Sequence, residues 1–243
     1  MWTIFKKEIT QFFSSLIGYI AITVFLLLLG LFIWIFPDVN VLDNGYANLD
    51  QLFGIAPYIF VFLIPAITMR SFAEEINTGT IELLSTRPVT DLEIILGKYL
   101  AALLLVFISI LPTLIYFYTI YHLASPVGNV DTGGIFGSYF GLFFLGAVFV
   151  AIGIFCSSVT SNQIVAFIAG VFLCLFIYIA FDYISQFHLF IGKNDYLVES
   201  FGLGAHYDSM GKGVIDSRDL VYFLSIISFF ILLTRTALSS RKW

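Results

Sequence analysis

Charged side chains are what this sequence most lacks. Eleven Lys and Arg with sixteen Asp and Glu make up 11% of 243 residues, against about 25% in an ordinary soluble domain. So few charges cannot cover the surface of a soluble fold, which excludes a cytosolic enzyme of ordinary composition. A net charge of −5 also excludes the basic surface that nucleic acid requires. Cysteine is nearly absent. Cys156 and Cys174 lie in apolar runs, away from any His or Asp cluster, so they read as packing residues rather than zinc ligands or a disulfide framework. Catalytic motifs are missing too. His122, His188 and His206 are scattered, and no HExxH occurs. The glycine-rich stretch 204–213 fails as a phosphate loop, because six residues separate Gly204 from Gly211 and Gly213 stands where a hydroxyl is needed. No catalytic residue, bound cofactor or metal site is therefore expected in this chain.

Long apolar runs are abundant. A bilayer-crossing helix needs about 20 apolar residues, and six candidates occur, at about 16–36, 52–69, 95–121, 135–156, 163–184 and 220–238. The first is too long for a signal peptide and reads as an uncleaved span. The uncharged stretch 132–181 divides at Ser157–Gln163, where Thr160 and Gln163 have capping-box spacing; Thr90 and Glu93 have the same spacing before the third span. Continuous runs of this length exclude the alternating strands of a membrane barrel. The fold class is an all-α membrane protein. Six spans put both termini on one side. Lys6, Lys7, Arg70, Arg87, Lys98, Arg235, Arg241 and Lys242 then share that side, eight of the eleven basic residues, which makes it cytoplasmic. Asp182 is the only acid near a span and has no partner at mid-depth, which argues against an ion-coupled carrier.

Four segments lie outside the spans. In the first, Trp2, Phe5, Ile9 and Phe12 recur at helical spacing with Lys6 and Lys7 off the stripe, the pattern of an interfacial helix. The second, Arg70–Glu93, concentrates charges of both signs and is broken by Gly79. Beyond it Ile81 and Leu84 lie beside Glu82. This pattern fits a short amphipathic helix that docks a partner, or equally a solvated loop resting on the membrane. The third, Ser185–Asp219, carries five glycines among aromatic residues and fits short outer helices that re-enter the membrane, or a surface cap; Asp216 suits the cap of the last helix. The fourth is the tail 239–243, where Arg241, Lys242 and Trp243 suit the interface. Within the spans, Gly137/Gly141, Ala147/Ala151 and Ala166/Gly170 allow close helix approach, to a helix of this chain or of another subunit.

Four segments bear a family resemblance: Met69-Arg70-Ser71-Phe72-Ala73-Glu74-Glu75, Gly79-Thr80-Ile81-Glu82-Leu83-Leu84, Arg87-Pro88-Val89 and Gly97-Lys98-Tyr99-Leu100-Ala101. In order and spacing the run resembles ABC transporter permeases of the type-2 exporter family, and 211–223 resembles their entry to the last span. Within that family the chain looks most like permeases associated with gliding motility, with those of nitrous-oxide-reductase maturation the nearest confusable group. The resemblance implies a permease subunit of a heteromeric exporter, a second membrane subunit, and a separate ABC ATPase that binds the ATP and magnesium. It implies that the ATPase couples through Arg70, Phe72, Glu74, Glu75, Gly79, Thr80, Glu82, Leu83 and Leu84. Glu74, Glu75 and Glu82 would pair with its basic residues, and Leu83 and Leu84 would fill an apolar groove. A bacterial inner-membrane location follows from the same resemblance. A protein that anchors or assembles a membrane machine without transporting anything would show the same hydropathy and loop. The substrate is not legible.

Overall fold

The computed structural model describes residues 1–37, 40–43, 45–81, 89–186, 199–213 and 216–240. Among them the regular elements are all helical. They are α1 (Trp2–Ser14), α2 (Leu16–Trp34), α3 (Asp50–Thr68), α4 (Arg70–Asn77), α5 (Asp91–Ile110), α6 (Leu114–Leu123), α7 (Thr132–Val159), α8 (Gln163–Leu175), α9 (Phe181–Ser185), α10 (Leu203–Gly211) and α11 (Ser217–Ser239). Five stretches are long and apolar enough to cross a membrane: Asp50–Asn77, Asp91–Leu123, Thr132–Val159, Gln163–Ser185 and Ser217–Ser239. A sixth is reached with α1 and α2, which meet at a 68° bend. Ser15 makes that bend with extended backbone, φ −101° and ψ 149°.

Local chemistry explains most of the boundaries. Thr90 and Glu93 form the reciprocal capping box that their spacing predicts, with Glu93 Oε2 accepting from Thr90 N at 3.0 Å. Asp216 caps α11 by accepting from Arg218 N at 2.9 Å. The cap of α8 differs from expectation. Asn162, not Thr160, occupies the cap and accepts from Ile164 N at 2.9 Å, while Thr160 Oγ1 accepts from Asn162 N at 3.1 Å. An Asx side chain reaches the first-turn N–H groups more readily than a Thr two residues upstream. Pro112 turns the third span through a short 3-10 segment, Leu111–Thr113, before α6 resumes. A π turn, Phe176–Ala180, joins α8 to α9 and had no sequence signal.

Helix α7 is the centre of the fold. Its 28 residues extend about 42 Å at 1.5 Å per residue, and it packs against α3, α4, α5, α8, α10 and α11. Small residues make those approaches possible. A Cβ on Gly141 would stand 3.2 Å from Met210 Cβ, and one on Gly137 would overlap the Met210 carbonyl. A Cβ on Gly170 would lie 3.0 Å from Pro65 Cβ. The spacings Gly137/Gly141 and Ala166/Gly170 thus serve helices of this same chain. The stretch 185–219 is packed on protein where it is described: α10 buries Leu203, Tyr207 and Met210, and Tyr207 Oη donates to Phe53 O at 2.8 Å. Its residues 187–198, with His188 and Lys193, lie outside the described residues.

Candidate functional site

Lys98 lies about two turns into α5 and is only 2% exposed. An ammonium without partners at that depth would cost several kcal/mol, on the order of the penalty for any desolvated ion. It donates hydrogen bonds to Glu8 and to the Ser71 carbonyl and forms an ion pair with Glu75. Nζ lies 2.7 Å from Glu8 Oε1, 3.0 Å from Glu75 Oε1 and 2.6 Å from the Ser71 carbonyl. The Phe72 ring covers the same ammonium at 5.0 Å. Glu8 comes from α1 and Glu75 from α4. One cation therefore ties together the N-terminal helix, the helix after the second span and the start of the third span.

Lys7 completes the cluster from its rim. Its Nζ donates to Glu75 Oε1 at 2.9 Å and stands 3.8 Å from Glu8 Oε1. Burial pulls this ammonium's pKa down, but the Glu75 carboxylate, with Glu8 and Glu74 behind it, more than reverses that, so the net shift is upward from 10.5. A raised pKa means that the pairing is fully present below the ordinary lysine value and is lost only as pH climbs through the shifted one. The Lys7 end of the cluster stays charged throughout the physiological range.

A second device fixes α4. Its first N–H groups need acceptors from outside the helix, and no side chain of its own N-terminus supplies them. Ser157 of α7 does: its Oγ accepts from Phe72 N at 2.9 Å and Ala73 N at 3.0 Å, and donates to Met69 O at 2.9 Å. One hydroxyl thereby uses its donor and both acceptor positions. Ser157→Ala is expected to leave two N–H groups and a carbonyl unsatisfied. Each such buried loss costs about 1–3 kcal/mol. Thermal unfolding together with proteolysis across 70–81 measures it; a variant as stable and as protected as the parent removes this role.

Of the residues expected at the coupling segment, Arg70 is exposed, Phe72 is fully buried beneath Lys98, and Glu74 is half-buried. Glu75 turns inward to the two lysines instead of outward. Gly79 takes φ +72° just beyond α4, a left-handed position that favours glycine. Thr80 Oγ1 lies 3.0 Å from Thr78 Oγ1. Glu82, Leu83 and Leu84, like Arg87, fall outside the described residues. Sequence reasoning did not select Glu8, Lys98 or Ser157 for the site. One signal pointed to Lys98, a cation inside an apolar run; Glu8, next to Lys6 and Lys7, and Ser157 carried none. The apolar stripe of α1 also divides in two. Glu8 is buried and Ile4 and Phe12 pack on the core, whereas Trp2 and Phe5 stack on each other at 5.0 Å, with Trp2 62% exposed. Between α1, α3, α4 and Lys98 a cavity of about 280 Å³ remains, reached by Lys7, Arg70, Glu74 and Glu75.

Residues 39–193 match the profile of the ABC-2 family transporter protein. The chain belongs to the ABC-2 transporter family. No curated protein matches it. The matched part of this ABC-2 membrane domain holds α3, α4, α5 and α7, and with them Glu75, Lys98 and Ser157. Membership makes the chain a multi-pass permease of the ABC transporter class, in which an ABC ATPase is the partner and the membrane domain is normally not an enzyme.

Proposed function

We propose that residues 1–243 form one permease domain of a heteromeric ATP-driven exporter, whose separate ATPase docks on α4 and the segment running to Glu93. Both termini and that segment face the cytoplasm of a bacterial inner membrane, as the bias of the basic residues supports. ATP and magnesium belong to the partner. A second permease, identical or different, completes the assembly. The likeness to gliding-motility permeases supports a place in that machinery for the exported cargo.

The observation that carries this reading is the Lys98 clamp. A push on α4 reaches Glu75, passes through Lys98 to α5 and through Glu8 to α1. Ser157 adds a direct connection to α7. Interactions of this kind favour motion of the attached helices together rather than bending of α4 alone. Glu74, half-buried at the cavity rim, is the described acid best placed for a basic residue of the ATPase. Charge reversal at Glu74 is expected to weaken co-purification of the ATPase in mild detergent about tenfold, the worth of one charge-assisted contact of about 1.5 kcal/mol. If no ATPase accompanies the parent protein, the reading fails; if E74K retains it fully, Glu74 has no part in docking.

A further inference from the structure

His206, in α10, is engaged at both ring nitrogens. Nδ1 lies 2.6 Å from Asp219 Oδ1 of α11, and Nε2 lies 2.9 Å from the Ser200 carbonyl. A carbonyl oxygen only accepts, and so does an ionised carboxylate. A neutral imidazole has one N–H and fills one of these contacts; filling both takes a second proton. Three features favour that proton. The Tyr222 ring stacks on the imidazole at 3.9 Å, where an aromatic face attracts a cation. The His206 and Asp219 side chains are both largely buried, which leaves little water to replace a missing donor. Asp219 Oδ2 is buried with no hydrogen-bond partner among the described residues, so an ionised Asp219 depends on the cation beside it.

The contact joins two spans. Ser200 lies in the turn 199–202, which Gly202 N closes on Glu199 O at 2.8 Å. That turn packs on α9, the end of the fifth span: the Phe201 and Phe181 rings are 6.5 Å apart, and a Cβ on Gly202 would stand 3.0 Å from Phe181 Cβ. Asp219 and Tyr222 head the sixth span, α11, and Tyr222 Oη donates to Phe201 O. We propose that His206 is a proton-operated pin: doubly protonated, it ties the end of the fifth span to the start of the sixth, and loss of one proton releases the Ser200 end. The Asp219 end outlasts it, because a hydrogen bond to a carboxylate is the stronger of the two, and a bare Nε2 would face the carbonyl lone pairs. The closed form holds the extra proton, so falling pH favours it and rising pH weakens it. Other ionisable groups stand near. Asp208 and Lys212 share α10 with His206, as does Tyr207. Glu199 opens the turn, Tyr178 comes from the π turn and Asp182 from α9, while Asp216 and Arg218 lie at the start of α11. Helix α7 carries Asp131, engaged by Gly134 N, and Tyr139, engaged by Thr113. Among the described ionisable groups, Asp219 and Tyr222 are the ones in bonding or stacking contact with the ring. The proposal rests neither on the orientation of the chain nor on an ATPase docking at α4.

The test is hydrogen–deuterium exchange of the full chain in nanodiscs, from about pH 5.5 to about pH 8.5, the span in which histidine ordinarily changes charge. Each rate is corrected for the intrinsic pH dependence of amide exchange. Protection of 199–206 is expected to fall about tenfold as pH rises, the worth of one charge-assisted hydrogen bond, while the centre of α7 keeps its protection. His206→Gln should remove the response and leave 199–206 poorly protected at every pH. Asp219→Asn is the decisive variant, because it makes the second proton unnecessary. The Asn amide can donate to Nδ1 of a neutral ring whose Nε2–H still serves Ser200. This variant should stay protected at the alkaline end as the parent is at the acid end. Asp208→Asn should respond to pH as the parent does. Protection in the parent that does not change with pH overturns the proposal. So does a pH response that survives in Asp219→Asn, or one that disappears in Asp208→Asn, since either places the titrating proton on another group.

Discussion

Lys98→Met is expected to destabilise the folded chain by about 3–5 kcal/mol, the usual cost of removing one partner from a buried ion cluster. Met matches the aliphatic length of lysine, so packing changes little. What remains is the charge: Glu8 and Glu75, both largely buried, would share only the half-exposed Lys7, and the Ser71 carbonyl would lose its donor. The thermal unfolding midpoint in detergent or nanodiscs measures the loss. A compensated variant separates fold from function. Lys98→Met with Glu8→Gln and Glu75→Gln removes the stranded carboxylates and should regain most of the lost stability, because neutral replacement of a buried ion cluster is often tolerated. In the assembled transporter that variant should still bind its ATPase, while hydrolysis no longer responds to transport. A single Lys98→Met variant as stable as the parent would show that the cluster holds nothing together. A compensated variant with intact coupling would leave the cluster its structural role alone.

The second large effect is expected at Gly153. A Cβ there would overlap Thr68 Oγ1 and lie 3.0 Å from Thr68 Cβ. Thr68 is fully buried, and its Oγ1 already donates to Ile64 O at 2.9 Å, so it has no free direction in which to turn. Gly153→Val should force α3 and α7 apart at a cost of about 1–3 kcal/mol or more, the range for overpacked cores. Thr68→Ala clears the same space and should recover part of the loss. The double-mutant cycle gives the decisive number: two residues in contact should couple by about 0.5–3 kcal/mol. Strict additivity would show that the two helices are not held by this contact. Thr68 immediately precedes Met69, the junction into α4, and Gly153 lies one turn before Ser157. Separation of α3 from α7 should therefore also release Ser157 from its backbone partners.

Much of the architecture was legible because bilayer helices announce themselves by continuous apolar length. The spans at 52–69, 135–156 and 163–184 fall within helices of Asp50–Asn77, Thr132–Val159 and Gln163–Ser185. The caps at Thr90 and Asp216 were readable because a capping side chain acts within three residues. The Asn162 cap shows the limit of spacing alone: a matching Thr160–Gln163 pair lost to a better acceptor nearer the helix start. The site was less legible. The four charges that meet come from positions 7, 8, 75 and 98, and a single sequence does not show which distant charges share a space. Hydrophobic periodicity was less informative at α1. It marks an apolar stripe but does not distinguish lipid from protein as its neighbour, and a buried, paired Glu8 counts as polar. The resemblance directed attention to the segment after the second span, where Glu75 lies. It gave no role to Glu8 or Ser157.

The Ser157 hydroxyl has a consequence for biogenesis. Helix α4 has eight residues, too few to persist unaided in water, and the acceptor for its leading N–H groups lies 84 and 85 positions further along the chain. As the nascent chain leaves the ribosome, residues 70–77 emerge well before Ser157. The segment that would receive the ATPase therefore gains its full set of hydrogen bonds only once the fourth span has entered the bilayer and packed. If the ATPase docks there as proposed, a half-inserted permease has no finished docking surface, and recruitment of the energy-consuming partner waits on completed membrane insertion.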